Sequence, residues 1–179
     1  MGSRCPMRRV GCNPPPDRSG IVEKLTWVLW KERELLEGLL FRLETEALVM
    51  SSGRTRWLPA AARDVEEAAR QVREMELLRA VAADEAAAGV GLEPNPSLRA
   101  LVAAADEPWA SILAEHREAF SVLSDEIVRA ADVNRSLISA GLRAAHETLL
   151  DLDTSVTTYT AAGAVAVGAG VPSFVDRSL

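Results

Sequence analysis

The first sustained pattern of apolar spacing begins at Ile21. Leu25, Leu29, Leu36, Leu39, Leu43 and Met50 follow at steps of three, four or seven, with no proline between them. That spacing lines apolar side chains along one face of an α-helix. It predicts an amphipathic helix from Ile21 to about Met50. Glu32 and Glu46 fall on the same line and interrupt it, while Val28, Leu35 and Ala47 beside it widen the stripe. Ser51-Ser52-Gly53 is a stop, and Pro59 suits the first turn of a second helix.

The second helix is expected from about Pro59 to Ala88, with Ala62, Val65, Ala69, Val72, Met75, Leu78 and Ala82 on one face. Gly89 and Gly91 end it. So short a link between two such helices makes them an antiparallel hairpin. Asn95-Pro96-Ser97 reads as an N-cap with proline at the first position of a short helix running to about Ala105.

The last helix starts near Asp106-Glu107-Pro108 and carries the cleanest repeat in the chain. Trp109, Leu113, His116, Phe120, Leu123, Ile127, Ala130, Asn134, Leu137, Gly141, Ala144, Thr148 and Leu152 stand three or four apart. Its length of roughly 45 residues, about 67 Å, exceeds a hairpin of roughly 45 Å. Trp109 should pack with Trp27 and Trp30 as core at the closed end of the bundle. The helix should exhaust its partners near residue 138. Leu142, Leu149, Leu150 and Leu152 are then expected to lack a cover from their own chain, and such a surface is either a partner site or an aggregation hazard.

These elements define the fold class as all-α: an antiparallel helical hairpin plus a long C-terminal helix, forming a three-helix bundle or coiled coil with flexible tails. The expected divisions are a disordered leader over 1–20, a bundle domain over 21–153 and a flexible tail over 154–179. The AVAVGAGV stretch of that tail has enough β propensity to add as a strand to a partner's sheet.

Composition narrows the function. Of the 179 residues 48% are hydrophobic but only 4% aromatic, which favours helix packing over a sheet core. The net charge of -6, with arginine interleaved among acids, speaks against a nucleic-acid surface. Cys5 and Cys12 are the only cysteines, too few for a disulfide framework or a metal quartet, and a cytoplasmic location fits them best. No apolar run is long enough to span a bilayer. A peripheral membrane helix would need a basic polar face that the last helix lacks.

Catalytic chemistry finds little support. Neither His116 nor His146 stands three residues after a glutamate, so the paired ligands of di-iron bundles are absent. Gly163, Gly168 and Gly170 precede no Lys-Ser/Thr, and no serine sits in Gly-x-Ser-x-Gly. No enzyme activity, cofactor or metal is expected. His116 reads as a packed, hydrogen-bonded seam residue, and Trp57 as a loop anchor. Asn134, on an otherwise apolar seam, has two readings. It sets helix register, or it marks where core gives way to a surface paired only when occupied.

The order of features resembles the FlgN-type flagellar export chaperones. The resemblance rests on the long hairpin, then Asn134-Arg135-Ser136-Leu137-Ile138, then Thr158-Tyr159-Thr160-Ala161-Ala162-Gly163, and covers residues 21–163. It implies a chaperone for the C-terminal helical segments of flagellar hook-filament junction proteins, which it would deliver to the flagellar type III export gate. By that analogy Tyr159 and Gly163 dock on the cytoplasmic domain of the gate. The Arg- and Pro-rich leader and the apolar tail depart from the family pattern. Leu137, Ile138, Leu142, Leu149 and Leu152 would anchor an incoming amphipathic helix, with Asn134 setting its register. The rival expectation is a structural coiled-coil module completed by a second copy of itself, a homodimer.

Overall fold

A computed structural model describes residues 18–156, with side chains over 20–152. Four helices occur among them: α1 (Arg18–Ser51), α2 (Leu58–Val90), α3 (Leu98–Ala104) and α4 (Trp109–Val156). A single 3-10 turn, Thr55–Trp57, links α1 to α2. No strand occurs among the described residues, and the fold is all-α as the periodicity predicts. The chain divides between Asp132 and Val133, within α4, into two compact units.

The helix ends follow from local chemistry. Pro59 lies in the first turn of α2, where its missing N–H costs nothing. Gly91 closes α2 in the left-handed region, with φ 77°, and the next residue's N–H returns to Ala87 O at 2.9 Å. The cap of α3 differs from expectation. Ser97, not Asn95, is the N-cap, its Oγ accepting from Ala100 N–H at 3.1 Å. Asn95 instead takes a positive φ of 60°, and its backbone N–H donates to the Asp84 carboxylate. Pro96 therefore belongs to the turn before the helix.

In the first unit α1 and α2 lie antiparallel, with Lys24 against Glu85 and Glu32 against Arg79. One core cluster joins Leu25, Leu29, Ala82, Ala86, Leu101 and Leu113, with Trp109 and Phe120 packed against it. A second joins Leu39, Leu43, Ala68 and Val72, with Ile127 and Ala130 against it. The first turns of α4 thus start at the end of α1 that holds Leu25 and run alongside it. Paired alanines at 82–83 and 86–87 are all buried, because side chains this small let neighbouring helices approach on two sides.

Three expectations are corrected. Trp27 and Trp30 are 58% and 56% exposed, so the bundle end closes on leucine and alanine, and only Trp109 of the three packs on the core. The inner line of α2 runs through Ala61, Ala68, Val72 and Ala82, and Leu78 points outward. The inward line, at steps of four and three from Ala68 and Val72, passes through Arg79, the counter-ion of the buried Glu32, and leaves Leu78 one residue round from it. Glu32 and Glu46, read as interruptions of the apolar line of α1, are both buried on it.

Candidate functional site

Polar groups inside the first unit are the natural place to look for chemistry. Arg79 Nε donates to Glu32 Oε1 at 2.9 Å and stands 2.8 Å from Oε2. Burial raises the Glu32 pKa above its ordinary value of 4.5, an effect that the guanidinium only partly offsets. His116 is buried, with the Trp30 ring edge-on at 5.4 Å and Phe120 at 6.2 Å. The expected hydrogen bond is missing at Nδ1, which has no partner among the described residues. Burial, then the nearby Arg33 charge, lowers its pKa below 6.5. Glu32 lines a surface hollow of ≈ 270 Å³ with Arg79, Arg117, Phe120 and Ser124. No cluster of His, Cys, Asp or Glu among the described residues could hold a metal ion.

The second unit offers a surface. Its described part is the α4 segment from Val133 onward. Asn134 is buried at 4% and Leu137 is half-buried. Ile138, Leu142, Leu149 and Leu152 are 45%, 67%, 66% and 57% exposed. With Ala145 they recur at steps of four, three, four and three, so they form one continuous stripe. The seam read from the sequence continues through Leu137, Gly141, Ala144 and Thr148, one residue round from that stripe. The step from Asn134 to Ile138 and on to Leu142 is four and four, and such a stutter resets the drift between a seven-residue repeat and a 3.6-residue helix.

Ser139 Oγ donates back to Arg135 O, and Thr148 Oγ1 to Ala144 O, each at 2.8 Å, so both hydroxyl protons are used within the helix. A Cβ at Gly141 would meet nothing within 4 Å. Tyr159 and Gly163 lie outside the described residues. No helix of the described residues is long and apolar enough to cross a membrane. Trp57 is half-exposed beside the turn, with the Arg56 guanidinium 5.2 Å from its ring centroid.

The family model described as FlgN protein matches residues 21–166. The chain belongs to the FlgN family. No curated protein and no solved structure matches it. FlgN-family membership assigns the chain to the flagellar export chaperones, which are not an enzyme family. The match spans both units and extends past Gly163.

One feature of this FlgN-family chain was missed by sequence reasoning: a second stripe, on the outside of α1. Trp27, Trp30, Phe41 and Leu48 are each more than half exposed. Their spacing of three, eleven and seven places them on one helical face, a signal that was hidden while tryptophan was assumed to be core.

Proposed function

We propose that this chain is a cytoplasmic chaperone that binds the C-terminal helical segment of flagellar hook-filament junction proteins through the leucine stripe of α4. Held there, the segment cannot associate prematurely, and the complex is delivered to the flagellar type III export gate. The observation that supports this reading is the stripe of Ile138, Leu142, Leu149 and Leu152, exposed at regular heptad steps in a chain of the FlgN family. An amphipathic helix laid on it removes apolar surface from water on both sides. Burying three leucines contributes on the order of 5 kcal/mol before the costs of association, which suits a carrier that must release its cargo. Asn134 sets the register of the incoming helix. Tyr159 and Gly163 dock on the export gate.

Co-purification of a junction protein with Leu142→Asp and Leu149→Asp variants tests the reading. Both are expected to lose the junction protein while helical circular dichroism is kept. A second reading, a homodimer through the same stripe, shares its motivating observation. A wild-type chain that is a concentration-independent dimer, refuses junction protein and becomes monomeric with Leu142→Asp would establish that reading instead.

A further inference from the structure

Residues of all four helices border one surface hollow of ≈ 270 Å³ in the first unit. Glu32 and Leu36 come from α1, Glu76 and Arg79 from α2, Leu98 from α3 and Phe120 from α4. Glu32 sets its chemistry. Only 4% of that residue is exposed, yet one of its oxygens lacks a donor. Arg79 Nε carries a single hydrogen and gives it to Oε1. Oε2, 2.8 Å from the same nitrogen, has no hydrogen-bond partner among the described residues. Leaving a buried acceptor unsatisfied is costly, and the neighbouring Glu76 charge adds to the negative potential at the carboxyl.

Those groups specify an occupant. What Oε2 lacks is a hydrogen, and what Glu76 lacks is a cation within ion-pair distance. An ammonium supplies both, because its three hydrogens point in different directions from one compact centre. Leu36, Leu98 and Phe120 form an apolar wall against which an aliphatic stem leaves water. Two arginines also border the hollow, but Arg79 is committed to Oε1 and Arg117 is exposed, where solvent screens its charge. The ammonium has to come from another protein. Lys24 and Lys31 are the only lysines of the chain, and they pair with Glu85 and Glu34. A second copy therefore brings no free lysine.

We infer that this hollow is a socket for a lysine side chain of a partner protein, its ammonium held by Glu32 Oε2 and Glu76 and its stem laid against Leu36 and Phe120. Arginine suits the socket less well, since a planar guanidinium aims its hydrogens in a fixed fork. The socket belongs wholly to the first unit. It gives the chain a point of recognition that the leucine stripe does not use.

The probe is N-acetyl-L-lysine methylamide, whose only charge is the side-chain ammonium, titrated into the full chain with isotope-labelled glutamate and phenylalanine. The Glu32 carboxyl and Phe120 ring signals are expected to shift saturably at millimolar probe. The Glu32 titration midpoint should fall, because a bound cation favours the ionised form. Glu32→Gln should abolish the Phe120 shift. Glu76→Gln, at an exposed position, should weaken binding about twofold to fivefold, and Leu142→Asp should leave it unchanged. N-acetyl-L-norleucine methylamide, with a similar stem and no charge, should not bind. A Glu32 signal that stays still overturns the inference, as does a movement that sodium chloride at equal ionic strength reproduces. So does a Phe120 shift that survives Glu32→Gln, an affinity untouched by Glu76→Gln, or norleucine binding as tight as that of lysine. Loss of binding with Leu142→Asp puts the probe on the leucine stripe and overturns it too. Tighter binding of the arginine analogue assigns the hollow to a guanidinium and overturns the choice of lysine.

Discussion

Replacing Glu32 by leucine should make the bundle more stable. The carboxylate occupies a heptad position between Leu29 and Leu36 and is 4% exposed, yet its one cation, Arg79, keeps 41% of its side chain in water. Leucine at that site places about 2 kcal/mol of apolar transfer energy in the seam. The ion pair given up is held by a partner half in solvent and is worth about 1 kcal/mol or less. Relief of the buried carboxylate's desolvation adds to the gain, and Arg79 returns to water. The net expectation is about 1–3 kcal/mol of stabilisation at pH 7. Arg79→Met is the opposite perturbation, stranding the carboxylate, and should cost about 3–5 kcal/mol at that pH.

The pH dependence separates the causes. In the folded chain the Glu32 carboxyl holds its proton to a higher pH than its ordinary 4.5. Between 4.5 and that raised value the folded state binds more protons than the unfolded one, so stability from this group is present below 4.5 and lost as pH rises. The gain from Glu32→Leu should therefore be larger at pH 7 than at pH 4, and the loss from Arg79→Met smaller at pH 4. Urea unfolding followed by far-UV circular dichroism at the two pH values measures both. A Glu32→Leu variant less stable than the parent by more than about 1 kcal/mol would refute the reasoning, since the pair would then outweigh its desolvation.

The remaining predictions concern other sites. His116 has its pKa lowered in the fold, so its contribution is present above 6.5 and lost as pH falls below it; His116→Leu should flatten the stability profile between pH 6.5 and 5, measured by thermal melts. Gly91→Ala places a Cβ at φ 77° and should cost about 1 kcal/mol in urea unfolding. Ser97→Ala removes the oxygen that accepts from Ala100 N–H and should cost about 1 kcal/mol, with Ser97→Asp retaining stability. Tyr159→Ala should leave co-purification with junction protein intact and reduce its export; unchanged export removes the docking role.

Periodicity alone determined the helices of this protein. Steps of three and four among leucine, valine and alanine favour one local conformation, and glycine or proline near most boundaries marks a stop, so class, order and approximate limits were legible. The exposure expected of Leu142 and Leu149 was legible too, and they are 67% and 66% exposed. Which face of each helix turned inward was decided only in three dimensions. A helix with apolar groups on two sides, such as α1 with its leucine seam and its Trp27–Leu48 stripe, carries no local mark of which side meets a neighbour. The burial of Glu32 against Arg79, and with it the outward turn of Leu78, required the register between helices. The energy of a buried charge depends on the cation across the interface, and that partner lies 47 residues away in the chain.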